Sequence, residues 1–240
     1  MKKLKRALLN WLKAAKSKQK ITKYSKYNDI RVAQEDLSRL KFHITGKNNS
    51  IHIGRLGAVS GLIEIRIHGD NNEIRLGDGL SVSKFLKIVM GAPASNFGPV
   101  HHVRVHIGAR SSFEDTRLQS YNSHSAIEIG ERCMFSFGIN VYNTDAHAIL
   151  DAESGKVLNY VKTLHIGNHV WVGAYASIMK NVYIADDCIV GWGSVVSGKF
   201  DTSNCALAGN PAKLVRQGIT WEANGAQCGY IENAPASHQQ

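Results

Sequence analysis

The stretch IGNHVW VGAYAS IMKNVY IADDCI VGWGSV VSGKF, Ile166–Phe200, sets an aliphatic residue at Ile166, Val172, Ile178, Ile184, Val190 and Val196, a strict period of six. An amphipathic helix repeats near 3.6 residues and a half-buried strand near two, so neither accounts for six registers in a row. A period of six is the mark of a hexapeptide parallel β-helix, a solenoid whose coils stack on one another. Four residues after each of the first five aliphatics stands a small or slender side chain: Val170, Ala176, Val182, Cys188 and Ser194. Glycine follows the aliphatic at Gly167, Gly173 and Gly191, and is expected to ease the corners. The pattern predicts inward aliphatics stacked from coil to coil with the small residues fitted beside them.

The same beat runs upstream. Ile129-Gly130, Phe135 and Val141 keep the spacing of six, with Cys133 and Ile139 in the small slots. Residues 147–165 therefore read as a loop thrown out of a continuous coil, and loops on rigid scaffolds are where function tends to be placed. Further back, FHITGKNNSIHIG (Phe42–Gly54) is echoed by IRIHGDNNEIRLG (Ile65–Gly77), which predicts earlier coils with looser corners. Residues 80–102, rich in Gly, Pro and Ser, read as a second excursion.

Charge divides the chain. Residues 1–41 hold 13 Lys and Arg against 3 Asp and Glu, while the remainder balances at 16 against 16, so the net charge of +10 lies wholly in the N-terminal segment. Leu4, Leu8, Trp11, Leu12 and Ala15 fall on one helical face with Lys and Arg on the other. Two readings stand for this arm: a helix lying on an anionic membrane surface through residues 1–20, or a solvated face packed on the assembly or a partner. The arm lacks the unbroken apolar core of a signal peptide, and the chain has no apolar run of spanning length. No nucleic-acid module accompanies it, so no nucleic-acid partner is expected. A cytoplasmic protein, at most peripheral at the inner face of the membrane, fits these features. The division expected is thus a basic helical arm over 1–41, a β-helix over 42–221 and a tail over 222–240.

Four cysteines agree with a reducing compartment. Cys133 and Cys188 occupy small slots of the repeat, and Cys205 and Cys228 show no paired metal spacing, so core filling is the expected role.

NTDAH (Asn143–His147), LHIGNHVWVGAYASI (Leu164–Ile178), VGWGSVV (Val190–Val196) and AGNPAKLVRQ (Ala208–Gln217) together resemble the hexapeptide-repeat O-acetyltransferases, most nearly the branch acting on sugars and bacterial surface polysaccharides. The resemblance covers roughly residues 127–221. It implies a left-handed parallel β-helix, a homotrimer with active sites between subunits, acetyl-CoA along the groove between two solenoids, and a glycan or glycan-precursor acceptor. It gives His147 the role of general base. The chemistry needs such a group, since a sugar hydroxyl is a poor nucleophile at neutral pH and an imidazole can take its proton and return it to the departing sulfur. Asp145 is a candidate to orient the ring, or a cap on the turn into the loop; it falls in a small-residue slot where a carboxylate needs a partner.

The resemblance further places Trp171 and Asn143 in the acceptor region and the backbone N–H near Ala174 at the oxyanion position. Gly173, Gly193, Ser197, Lys199, Lys213 and Arg216 match positions that line the pantetheine arm and the CoA phosphates, where cations complement phosphate. Trp192 stands where relatives carry a small residue, and Ser197-Gly198-Lys199 replaces their usual Thr-Lys, so Trp192 either stacks along CoA or covers the coil. His43, His52, His68, His106 and His165 alternate with apolar residues and read as outward strand positions. His101, His102 and His124 flank the second excursion and keep open a zinc site like that of the γ-class carbonic anhydrases, although the ligand spacing of that family is absent; no metal is expected. Two further readings compete: a non-catalytic trimeric scaffold, and an N-acyltransferase acting on an amino sugar nucleotide. The reading adopted is transfer of acetyl from acetyl-CoA to a glycan hydroxyl.

Overall fold

A computed structural model describes residues 22–92 and 98–223. The chain winds as a parallel β-helix whose coils each lay down short strands on three sides. The first side is an eight-stranded parallel sheet: Asp29–Arg31, Ser50–Ile53, Glu73–Leu76, Arg104–Ile107, Ala126–Ile129, Thr163–Ile166, Tyr183–Ile184 and Lys199–Phe200. The second carries Met134–Phe135, Trp171–Val172, Ile189–Val190 and Cys205–Gly209, and the third Leu40–Thr45, Leu62–His68, Ile139–Tyr142, Ser177–Ile178 and Val195–Val196. Two long strands, Ser81–Met90 and Ser112–Ser120, turn the corner between the second and third sides and merge them into one 12-stranded sheet; their pairing shifts register between Val82 and Phe85.

Register explains the period of six. Ile51, Ile74, Val105, Ile127 and Leu164 are successive Cα partners on the first side and are at most 1% exposed. The small slots Val170, Ala176, Val182, Cys188 and Ser194 are equally buried. Each buried aliphatic of this size contributes about 1.5–3 kcal/mol relative to exposure, so the stack of rungs is the main source of cohesion. Phe113 and Phe135, register partners on successive coils, stack at 4.7 Å inside the core.

The corners work differently from expectation. Left-handed backbone falls largely on non-glycine residues: Asn48, Asn71, His102, His124 and Asn181 where the third side meets the first, and Arg110, Arg132, His169, Asp187 and Asn204 where the first meets the second, with Gly79, Gly138 and Gly193 at other corners. The glycines after the aliphatics are needed for closeness instead. A Cβ on Gly108 would lie 2.5 Å from the Glu131 nitrogen, so the next coil leaves no room for a side chain.

Asparagines brace the first coils. Asn49 Nδ2 donates to Asn28 Oδ1 at 2.8 Å, Asn72 Nδ2 to Asn49 Oδ1 at 3.0 Å, and the Val103 N–H to Asn72 Oδ1 at 3.0 Å. All three amides are under 9% exposed, so these bonds satisfy groups that would otherwise be buried at a cost of about 1–3 kcal/mol each.

Boundaries move in three places. Asp29–Arg31 pairs in parallel with Ser50–Ile53, so the solenoid begins within the segment assigned to the basic arm; the amphipathic stretch 1–20 lies outside the described residues. Ser81–Met90 is a strand of the coil and not an excursion: Val82 is buried before the corner and Leu86, Ile88 and Met90 point into the core on a period of two after it, which outweighs the Gly/Pro-rich context that follows. The loop ends at Lys162, since Thr163–Ile166 pairs with Ala126–Ile129 and carries His165 outward. At the far end Ala212–Gln217 folds back antiparallel on Cys205–Gly209. The Trp221 ring then stacks on His169 at 4.3 Å and its N–H donates to the His169 carbonyl at 2.8 Å. Residues 224–240, including Cys228, lie outside the described residues. Among the described residues, no helix is long and apolar enough to cross a membrane.

Candidate active site

The loop leaves the coil after Ile139–Tyr142 and returns at Thr163. Asn143 closes its base: fully buried, it donates through Nδ2 to the carbonyls of Ala126 at 2.8 Å and Lys162 at 3.0 Å. The resemblance puts Asn143 in the acceptor region; in the fold its buried amide acts as a structural clasp at the base of the loop. Thr144 Oγ1 donates to Asn122 Oδ1 at 2.7 Å and accepts from the Ala146 N–H at 2.9 Å.

Asp145, Ala146 and His147 form a three-residue turn, closed by the His147 N–H on the Asp145 carbonyl at 2.7 Å around Ala146 at φ 63°. Such turns are rare and strained, and a non-glycine residue in this region persists only where its surroundings enforce it. The surroundings here are Asn159 and Lys180. Asn159 Nδ2 donates to Asp145 Oδ2 at 2.7 Å and to the His147 carbonyl at 2.8 Å, and Lys180, from the next coil, donates to the same carboxylate oxygen. Burial pushes the Asp145 carboxyl up, but the hydrogen bonds from Lys180 and Asn159 and the ammonium charge outweigh it and hold it below the usual aspartate range. The group is an ionised, anchored carboxylate beside an exposed imidazole. Its oxygen Oδ2 is held by the cation and the amide, so it fixes the turn that carries His147.

The turn opens on a cavity of about 240 Å³ lined by Asn122, Ser123, Asp145, His147, Asn159 and Tyr160 among others. The loop beyond it is a small hairpin with Leu150 bridged to Val157, and it leaves Ile149, Leu150, Leu158 and Tyr160 more than half exposed.

The other expected residues fall in separate places. Trp171, on the second side, donates to Ser136 Oγ at 3.3 Å. Gly173 and Ala174 follow it into the corner, where the Gly193 N–H donates to the Ala174 carbonyl at 2.9 Å. A Cβ on Gly173 would lie 2.7 Å from the Val190 carbonyl oxygen. Trp192 projects from this corner, 74% exposed and 5.2 Å from the Tyr175 ring. Ser197 is exposed just past the third side. Lys199 belongs to the first side, paired with Asp201 at 3.1 Å, whereas Lys213 and Arg216 project from the last antiparallel strand on the other sheet. The three cations expected for CoA thus lie on two different sheets of one chain. His102 and His124 occupy equivalent corner positions and stack at 5.0 Å, and no group of three or more potential ligands gathers to hold a metal among the described residues. Lys180, Asn159 and Asn122 escape a reading of the sequence alone. The repeat carries one faint signal for the first: Val141 and Ile178 are register partners, which sets Lys180 level with Asn143, two residues from Asp145.

Comparison with known proteins bears on this arrangement. A family model described as bacterial transferase hexapeptide (six repeats) matches residues 164–198. The chain is 29% identical over 188 residues to a polysialic acid O-acetyltransferase of Neisseria meningitidis, a match spanning 73% of this chain and 86% of that protein. It is 36% identical over 95 residues to a polysialic acid O-acetyltransferase of Escherichia coli O1:K1 / APEC, over 40% of this chain and 31% of that one. The crystal structure of the polysialic acid O-acetyltransferase OatWY matches with a TM-score of 0.65 at 26% identity, covering 86% of this chain and 92% of that chain. The structure of the polySia specific acetyltransferase NeuO matches with a TM-score of 0.57 at 25% identity, covering 81% and 93%. The fold is a left-handed parallel β-helix, and the neighbours it matches over nearly their whole length are acyltransferases.

Proposed function

We propose that this chain, a hexapeptide-repeat O-acetyltransferase related to those of the capsular branch, moves the acetyl group of acetyl-CoA to a hydroxyl of a bacterial surface glycan. The observation that carries the reading is the Asp145–Ala146–His147 turn, anchored by Asn159 and Lys180 and opening on a cavity at the base of the loop. In this reading the His147 imidazole takes the proton of the acceptor hydroxyl as its oxygen attacks the thioester carbonyl. The carbon–oxygen bond forms, the carbon–sulfur bond breaks, and the imidazolium returns the proton to the leaving sulfur, giving the O-acetyl glycan and free CoA. Asp145 stabilises the imidazolium, and a backbone N–H near Ala174, with Trp171 beside it, serves the oxyanion and the acceptor.

The chemistry of the donor set fits acetyl-CoA. Lys213 and Arg216 stand exposed on one strand, able to meet phosphates, and Trp192, Gly173, Gly193 and Ser197 offer an aromatic plane and open backbone for the pantetheine arm. Lys199 lies on the other sheet, which suits a groove completed by a neighbouring copy in a homotrimer. The basic arm, residues 1–20, is assigned to reversible contact with an anionic membrane surface on its charge and apolar face.

Assay of free-thiol release from acetyl-CoA against capsular and lipopolysaccharide glycans tests the reading. Glycan-dependent thiol release with a base-labile acetyl product supports it; an alkali-stable acetamide would establish N-acylation instead, and release without glycan would remove the acceptor role.

A further inference from the structure

The early coils carry a charged cavity that the acetyl transfer reaction leaves without a use. Three neighbouring strands of the coil, Leu62–His68, Ser81–Met90 and Ser112–Ser120, set Glu64, Lys87 and Arg117 as successive Cα partners, with Lys41 before them and Arg66 in the adjoining row. Glu64 is 3% exposed and is met by Arg66 at 3.0 Å, Lys41 at 3.2 Å, His43 at 3.3 Å and Lys87 at 3.5 Å. Burial pushes its carboxyl up, but the hydrogen bonds and charges of Arg66 and Lys41 outweigh burial and hold it at about 2, so it stays ionised. One anion therefore stands among four permanent cations. Arg117, the last of them, is exposed and makes no ion pair among the described residues. Neighbouring strands lie about 4.8 Å apart, and like charges side by side in a ladder are destabilising. Lys87 and Arg117 are such a pair, and the row runs on to Asn140, which offers no charge to offset them.

Arg66, Lys87 and Arg117 line a cavity of about 460 Å³, within the size range of small-molecule sites, and no carboxylate lines it. Gln119 and Tyr121 add polar groups to its wall. Gln119 is 8% exposed and donates through Nε2 to the Tyr121 hydroxyl at 2.7 Å, which fixes both side chains. Burial holds the Tyr121 hydroxyl above its ordinary pKa, so it keeps its proton. Ile67 and Val89 supply apolar surface beside the charges. This cavity shares no lining residue with the cavity of His147, and Lys199, Lys213 and Arg216 belong to the last strands of the solenoid.

We infer that the cavity is a binding site for a phosphate monoester, separate from the transfer site. A phosphate dianion matches the surplus better than a carboxylate does, because it brings up to two charges and three acceptor oxygens to three cations on one cavity. The planar guanidinium groups of Arg66 and Arg117 suit two-pronged contact with such oxygens. The apolar wall adjoins the group that carries the phosphate. That group can belong to a soluble molecule or to a lipid headgroup, and the chemistry at the cations is the same for both.

Calorimetry of the full chain with inorganic phosphate, glycerol 3-phosphate and free sialic acid reads the site directly. The expected result is saturable binding of both phosphates, weaker binding of the carboxylate sugar, and at least tenfold weaker phosphate binding by Arg117→Gln. That substitution leaves the Glu64 cluster whole, and the melting temperature without ligand is expected to stay unchanged. Cosedimentation with phosphatidic acid vesicles and with phosphatidylglycerol vesicles of matched surface charge assigns the source. A preference for phosphatidic acid that Arg117→Gln loses marks a lipid headgroup, whereas glycerol 3-phosphate binding without that preference marks a soluble ligand, and either result supports the site. Four results overturn it: no saturable binding of either phosphate together with no preference for phosphatidic acid; phosphate binding unchanged in folded Arg117→Gln and Lys87→Gln; sialic acid bound as tightly as glycerol 3-phosphate; or displacement of phosphate by polysialic acid, which would give the cavity to the acceptor instead.

Discussion

Replacing Lys180 by Met tests whether the turn that presents His147 is held by charge. Methionine keeps the length and apolar stem of the side chain and removes only the ammonium. In the fold, Lys180 and Asp145 are 21% and 24% exposed, so the pair is partly buried, and Asn159 remains on the same carboxylate after the change. Loss of a charged hydrogen-bond partner at a buried site costs about 1–3 kcal/mol. Partial exposure and the surviving amide bond put this case at about 1–2 kcal/mol, or about 2–8 °C in melting temperature for a chain of this size. The pH dependence follows from the direction of the Asp145 shift. Its carboxyl is held below the ordinary aspartate value of about 3.9, so the pair contributes fully above that value and is lost as the pH falls through the lower folded one. Melting curves of both proteins are expected to differ at pH 7 and to draw together progressively as the pH falls below about 4. Turnover should fall about tenfold at pH 7, because the Asn159–His147 latch relaxes, and Lys180→Arg should restore most of it. A gap in melting temperature that is the same at pH 7 and at pH 3, or a Lys180→Met protein with full turnover, would refute the reasoning.

His147→Ala is expected to keep the fold by circular dichroism and to lower acetyl transfer about 10²-fold to 10⁴-fold, with a smaller loss for Asp145→Asn; near-normal turnover of a folded His147→Ala would remove the residue from the mechanism. Lys213→Gln with Arg216→Gln should raise the KM for acetyl-CoA more than that for a pantetheine thioester lacking the nucleotide, and equal effects would assign these charges to the solenoid surface. Asn49→Leu leaves the Asn72 amide and the Gly69 carbonyl without their partner and should cost about 2–4 kcal/mol in chemical denaturation, and a loss under 0.5 kcal/mol would show that the ladder is dispensable. Deletion of residues 1–20 should abolish salt-sensitive cosedimentation with anionic vesicles while sparing turnover on a short acceptor; a lowered melting temperature with unchanged vesicle binding would assign the arm to the assembly instead.

How much can be read from the chain depends on how locally the information is written. From Ile166 to Val196 every rung is six residues from the last, so the inward residues announce themselves. The early coils are built from longer strands that run through a corner, and Ser81–Met90 therefore follows a period of two inside a period of six; its alternation of Leu86, Ile88 and Met90 is present but masked by the Gly and Pro that follow. Asp29–Arg31 reads as part of the basic arm because charge dominates there, although the asparagines Asn28, Asn49 and Asn72 recur at nearly coil length. At the site, Asp145 and His147 are neighbours in sequence and legible as a pair. Lys180 stands 35 residues beyond Asp145, with the loop in between, and no spacing rule of the repeat predicts that a lysine reaches back across a coil. The carbonyl bonds of the Asn143 amide are not legible either, because a motif tells which residue types recur and not which way a side chain points.

The clasp at Asn143 has a consequence for the loop it closes. One buried amide, standing where the chain departs, binds the neighbouring coil at Ala126 and the re-entering chain at Lys162, so the coil below and the coil above pair as if nothing intervened. Whatever is inserted between those two points hangs outside the stack and leaves every rung in register. Changes in the length or composition of the insert can then reshape the wall it gives the cavity, through Val157, Asn159 and Tyr160, without being constrained by the core. The scaffold and the insert are in this sense separately heritable, and a graft of the hairpin from a relative between Asn143 and Lys162 should leave every rung in place and show, by assay of the acceptors used, whether preference travels with it.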